Sequence, residues 1–171
     1  NWPTLKFKEL ISRGPSNGIY KPASAYGEGV KIIRIDGFYA GRILQNRPLR
    51  RVSLSESEVN RYKIFEKDII INRVNSREYL GKSALFEGID GPVVYESNMM
   101  SLGVDQSRAC PRFIVDQLCS IYVKRQILRA SKDAVNQSSI NQNDVKEIEL
   151  RLPPLPIQKR YVEIVEKLRA S

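Results

Sequence analysis

Asp68-Ile69-Ile70-Ile71-Asn72-Arg73-Val74 decides the fold. Successive side chains on a strand point to opposite faces, so an unbroken β-branched run needs apolar cover on both sides. Such a strand belongs at the centre of a layered domain. Working outward, Ala84–Phe86, Val93–Tyr95 and Met99–Val104 read as further short strands, with turns at Asp90-Gly91-Pro92 and Ser97-Asn98. Upstream, Val30 to Ile35 is a strand that ends at Asp36-Gly37. Thr4 to Lys8 alternates as another, before a helical turn at Glu9-Leu10-Ile11. Between them, Gly14, Pro15, Asn17, Gly18, Pro22, Gly27 and Gly29 predict a long loop from Arg13 to Gly29, interrupted only by Ile19-Tyr20.

Helices enter around this set. Ser55 followed three residues later by Glu58 is a capping box that opens a short one. Pro111 to Ser131 reads as one long helix, with Phe113, Ile114, Leu118, Ile121, Tyr122, Val123 and Leu128 as its core stripe. A polar loop, Asn136 to Gln142, precedes a strand at Glu147–Leu152, and Leu152-Pro153-Pro154-Leu155-Pro156 forms a stiff connector. Beyond it Ile157, Tyr161, Ile164 and Leu168 recur at heptad spacing, widened by Val165, and predict a helix that docks on its own domain or pairs with another helix. The expected fold is α+β: a mixed, twisted β-sheet core of short strands with packed helices, plus a C-terminal spacer helix. The domain covers residues 1–152, and residues 153–171 begin the spacer.

The chain has 171 residues, enough for one core. Its 28 Lys and Arg against 19 Asp and Glu give a formal charge of +9, and it has no histidine. That excludes histidine-based acid–base and nucleophile chemistry and every histidine-containing metal site. Two cysteines, Cys110 and Cys119, are too few for a four-cysteine zinc site and are expected as reduced, mostly buried thiols. No apolar run has the length of a membrane span, and a cytoplasmic location is expected. Positive charge gathers in two blocks: residues 31–82 carry 12 bases against six acids, and residues 105–133 carry six against three. Residues 83–104 carry no base and three acids. Clustering of this kind suits a polyanion, because phosphates reward local potential through counterion release.

Catalytic motifs fail on inspection. Gly81-Lys82-Ser83 matches the end of a phosphate-binding loop, but Ser76 stands where the first glycine belongs. Leu152-Pro153-Pro154-Leu155 lacks the polar first residue and the aromatic last residue of an amino-methyltransferase tetrapeptide. Asp144-Val145-Lys146 with Asp133 resembles a nuclease triplet, yet it falls in a polar loop rather than on paired strands.

Three stretches together resemble the target-recognition domain of the DNA-specificity subunit of Type I restriction–modification systems. They are Gly18-Ile19-Tyr20-Lys21-Pro22 through Ile35; Asp68–Val74 through Phe86; and Ala134-Val135-Asn136-Gln137-Ser138-Ser139-Ile140-Asn141 with Leu152–Leu155 and Gln158-Lys159-Arg160. The resemblance implies a non-catalytic reader of one half of a split double-stranded DNA target. It also implies methyltransferase subunits as partners, which bring S-adenosylmethionine, and a restriction subunit that uses ATP and Mg, with no cofactor on this chain. Ile157, Tyr161, Ile164 and Leu168 would then pair with a second spacer helix, or with a second copy of this chain. Asn136, Gln137, Ser138 and Asn141 match the family pattern and are expected to be structural, fixing how the final helix leaves the domain.

DNA contacts are expected from arginine forks and amides on loops. The candidates for base reading are Arg73, Asn75, Ser76 and Arg77, and those for phosphate are Lys21, Arg34, Arg50, Arg51 and Lys82. Two other readings stay open: an assembly module whose basic surface is incidental, and the recognition part of a fused restriction–methylation enzyme.

Overall fold

The structure is a computed structural model that describes residues 2–171. Its central sheet has six strands in the order β2-β11-β7-β9-β5-β4. In chain order the elements begin with β1 (Thr4–Lys6), β2 (Ile11–Asn17), β3 (Tyr26–Ile33), β4 (Phe38–Tyr39), β5 (Gly41–Ile43) and β6 (Arg50–Val52). Then come α1 (Glu56–Tyr62), β7 (Ile69–Asn72), β8 (Val74–Asn75), β9 (Ser83–Leu85), β10 (Val93–Tyr95) and β11 (Met99–Val104). The C-terminal part holds α2 (Pro111–Leu118), α3 (Ile121–Ala130), β12 (Lys132–Ala134), β13 (Gln137–Ser139), α4 (Gln142–Lys146), β14 (Glu149–Arg151) and α5 (Leu155–Ala170).

The isoleucine strand lies at the centre, as its pattern requires. Ile69 and Ile71 face a core built with Phe113, Ile114, Val123, Ile127 and Val145 of the helices. Ile70 faces the opposite way, onto Ile33, Phe38, Val93, Tyr95 and Met99. Each fully buried isoleucine contributes about 1.5–3 kcal/mol. A third cluster, Ile19, Ile32, Val52 and Val94, holds a small sheet in the order β10-β3-β6 beyond the second. The molecule is therefore layered: helices, central sheet, small sheet. Asp68 enters β7 with its carboxyl buried against the Phe65 amide (2.9 Å), the Arg13 guanidinium and the Ser101 hydroxyl. Burial pushes that carboxyl up despite the Phe65 and Arg13 contacts.

Five local expectations are corrected. Residues 11–17 form a strand rather than a loop: β2 runs along the edge of the central sheet, pairs only with β11 through register shifts, and so accommodates the cis Gly14-Pro15 bond. The N-terminal helical turn falls at Phe7–Glu9. The long helix is two helices, α2 and α3, broken at Cys119-Ser120, where Ser120 Oγ caps α3 by accepting from the Val123 amide (3.3 Å); Ile121 is consequently exposed. The polar stretch after it is the hairpin β12–β13 followed by α4, which Asn141 and Asp144 cap reciprocally (both 2.8 Å). The thiols are free but not buried: Cys110 is half-buried and Cys119 exposed. The capping box at Ser55 forms as read, with bonds of 2.9 and 3.2 Å.

Candidate nucleic-acid interface

The C-terminal ends of β2, β3, β7 and β10 gather at one rim of the molecule. The turn at Glu96-Ser97-Asn98 binds them: the Glu96 amide donates to the Ile33 carbonyl (3.0 Å), the Ser97 amide to Ile19 (3.0 Å), and the Arg73 amide to Asn98 (2.8 Å). Arg34 and Arg73 thus leave the sheets on either side of one turn. Asn72, fully buried, locks the arrangement. Its Nδ2 donates to the carbonyls of Val74 (3.1 Å) and Asn98 (3.0 Å), and its Oδ1 accepts from Asn75 Nδ2 (2.8 Å).

On the small-sheet side, the Arg34 and Arg50 guanidiniums both lie over the ring of Tyr26, at 4.9 and 4.8 Å from its centroid. Such stacking costs a guanidinium none of its donors, so both remain available to an external anion. Burial raises the Tyr26 phenol pKa, outweighing the two arginines, so the platform stays neutral. Among the described residues, Arg34, Arg50, Arg51, Arg73 and Lys132 have no carboxylate partner within salt-bridge distance. Arg51 donates to the Gly29 carbonyl (2.8 Å). Beyond Arg73 the rim continues as a shallow groove lined by Asn17, Arg73, Lys132, Ser139, Asn141 and Asp144, whose carboxylate accepts from the Asn141 amide. The Arg73 Nε is buried there without a hydrogen-bond partner.

The remaining candidates are tied into the fold. Lys82 turns inward, its ammonium donating to the carbonyls of Ile35 and Phe38 (the latter 3.1 Å) over the Phe38 ring; desolvation lowers its pKa. Lys21 pairs with Glu58 at 2.7 Å, which holds that carboxyl below its ordinary range. Arg77 grips both oxygens of Asp133 (2.8 Å each), and Asn75 is held between Asn72 and the Ser76 amide (2.8 Å). Ser76 is exposed. Residue type and loop position predicted these five together with Arg34, Arg50, Arg51 and Arg73; what they could not register is which cations the fold consumes. Tyr26, Asn72 and Asn17 were missed altogether. The spacing of Tyr26 from two arginines is set by tertiary structure, and an asparagine closing a buried strand is the only local signal for Asn72.

The final helix leaves from the helical layer. Gln158 anchors it: its Oε1 accepts from the Cys110 amide (2.9 Å), and its Nε2 donates to the carbonyls of Arg108 (3.1 Å) and Pro153 (2.8 Å). This role, expected for the 136–141 stretch, belongs to Gln158; Asn141 caps α4, and Ser138 Oγ donates to Asp133 (2.6 Å). Further along, Glu166 accepts twice from Arg42 (2.6 and 2.7 Å) and sits 3.7 Å from the buried Arg112. Tyr161 packs edge-on against Phe113, 5.4 Å between centroids, and donates to Asp116 (3.2 Å), so part of the heptad seam is used within the domain. Ile157, Ile164 and Leu168 stay exposed. Among the described residues no group of three or more cysteine or acidic side chains is placed to hold a metal ion, and no helix is long and apolar enough to cross a membrane.

The fold and sequence have clear relatives. The EcoKI specificity subunit of Escherichia coli K12 is 29% identical over 168 residues, covering 97% of this chain and 36% of that protein. The HsdS subunit of Thermoanaerobacter tengcongensis superimposes with a TM-score of 0.69 at 21% identity, over 98% of this chain and 41% of its own. The Type I restriction-modification S subunit of M. genitalium gives 0.62 at 15% identity, over 99% and 40%. The chain therefore spans between 36% and 41% of the length of these relatives. The family profile described as the Type I restriction modification DNA specificity domain matches residues 16–171. With that match over most of its length, the chain belongs to the Type I restriction modification DNA specificity domain family.

Proposed function

We propose that this chain reads one half of a bipartite target in double-stranded DNA and carries no catalytic site of its own. The observation that carries the reading is the rim on which Arg34, Arg50 and Arg73 stand without carboxylate partners, interleaved with Asn17 and the 96–98 turn. Arg34, Arg50 and Arg51 suit phosphates, where guanidiniums position a protein on the duplex; Arg73, by its terminal guanidinium nitrogens, and Ser76 suit base edges. In this reading α5 begins the spacer to a second recognition unit, with Ile157, Ile164 and Leu168 facing the partner helix. Methyltransferase and restriction subunits supply S-adenosylmethionine, ATP and Mg chemistry.

Selection of bound duplexes from a randomised pool, by the chain alone and together with its methyltransferase subunit, tests this. Enrichment of one short sequence, with affinity that falls steeply as salt rises, is the expected result. An unenriched pool in both formats, with binding indifferent to salt, would leave an assembly module as the better account.

A further inference from the structure

We propose that the hairpin β12–β13 is a finger that enters a groove of the duplex and holds it irrespective of sequence. The inference rests on the duplex-binding reading above. Residues 132–137 are exposed in succession, and Val135 at the tip is 89% exposed, more than any other large apolar side chain described. Asn136 turns the chain at φ +63° between the paired Ala134 and Gln137, so the tip is a tight two-residue turn.

The hairpin is braced from its base. Asp133 accepts from both Arg77 (2.8 Å) and Ser138 (2.6 Å), and β13 pairs with β8, which continues directly from Arg73. A finger already held in place loses little conformational entropy on binding. Its position is next to the rim: Lys132 and Ser139 share one groove with Arg73 and Asn17.

The chemistry of the tip indicates grip rather than choice. Val135 has no hydrogen-bonding group and packs on deoxyribose or base surfaces, as apolar wedges do in grooves. Gln137 carries an exposed amide with no hydrogen bond to the described residues, which in this proposal meets phosphate or sugar oxygens rather than base edges, and Lys132 an exposed ammonium with no carboxylate partner. The one arginine at the hairpin, Arg77, gives its Nη1 to both oxygens of Asp133 at the base, so it braces the finger rather than extending from its tip. A neutral apolar tip flanked by Lys132 and Arg73 fits a polyanion with a groove better than it fits an apolar protein surface.

The test measures anisotropy of two labelled duplexes, the selected target and a scrambled one of equal length, across a range of NaCl. The proteins are the wild-type chain, the double variant Val135→Ser/Gln137→Ala, and Lys132→Ala, each checked for an unchanged melting temperature. The double variant is expected to lose about tenfold in affinity for both duplexes with an unchanged slope against log salt, because neither residue is charged; Lys132→Ala lowers that slope by about 1. Wild-type affinity in the double variant, or a loss confined to the selected duplex, overturns the finger while leaving the duplex-binding reading intact. If the wild-type chain binds neither duplex, that reading falls, and the finger falls with it.

Discussion

Two sets of arginines in this molecule are put to opposite uses. Arg42, Arg112 and Arg169 lie where α5 meets the domain, and each has carboxylates within reach: Glu87, Asp116 and Glu166. Arg34 and Arg50 lie on the far small sheet, stacked on Tyr26, with no carboxylate within salt-bridge distance among the described residues. The first set fastens a helix; the second keeps its charge unpaired. Net charge does not separate these cases, since every one of these residues counts equally toward +9. Partnering does.

The largest expected effect comes from breaking the fastened set. Arg112 is 5% exposed and donates to the Gly41 carbonyl at 2.7 Å, so Arg112→Ala strands that carbonyl and the surrounding carboxylates. We expect a loss of about 3 kcal/mol in unfolding free energy by urea titration. A midpoint shift no larger than that of a surface substitution would erase the distinction between the two sets. Next, Arg34→Ala/Arg50→Ala should leave the urea midpoint nearly unmoved, while duplex affinity drops by about ten- to a hundredfold and the salt slope shrinks by about 2. An unchanged slope would mean that these guanidiniums meet no phosphate.

Lys82→Met sharpens the comparison, because Lys82 lies in the basic block yet is bonded inward. We expect a destabilisation of about 1 kcal/mol and a change in duplex affinity under about twofold. The smallest effect is a pH dependence at the hairpin. Ser138 and Arg77 hold the Asp133 carboxyl below its ordinary value, so the stability it contributes is complete above that ordinary value and is lost as pH falls through the lowered one. Protection factors in β13, exchange rates taken relative to the intrinsic rate at each pH, should fall only in that acid window. A fall at a higher pH would assign the effect to another group.

Much of the architecture was legible because its signals are local. Ile69-Ile70-Ile71 needs cover on both faces whatever surrounds it, and Ser55 with Glu58 closes its own box. The strand β2 was hidden by its composition: glycine and proline usually mark loops, but an edge strand tolerates both when its partner supplies the register shifts. The hairpin β12–β13 was hidden by polarity, since its face toward solvent carries no apolar alternation. The rim was legible in residue type, not in partnership. Lys82 and Arg77 look like Arg34 and Arg50 in one dimension. Only the packing of Ile35, Phe38 and Asp133 beside them decides which are free.

The buried amide of Gln158 has a mechanical consequence. Three hydrogen bonds at the root of a 16-residue helix fix the heading of a shaft about 24 Å long. A yaw of about 10° at that root swings the far end by about 4 Å, more than the roughly 3.4 Å rise of one base pair along a strand. In the proposed reading, where this helix begins a ruler between two half-sites, Gln158 at the pivot and the Arg42–Glu166 pair farther along together keep the graduations from slipping by one mark.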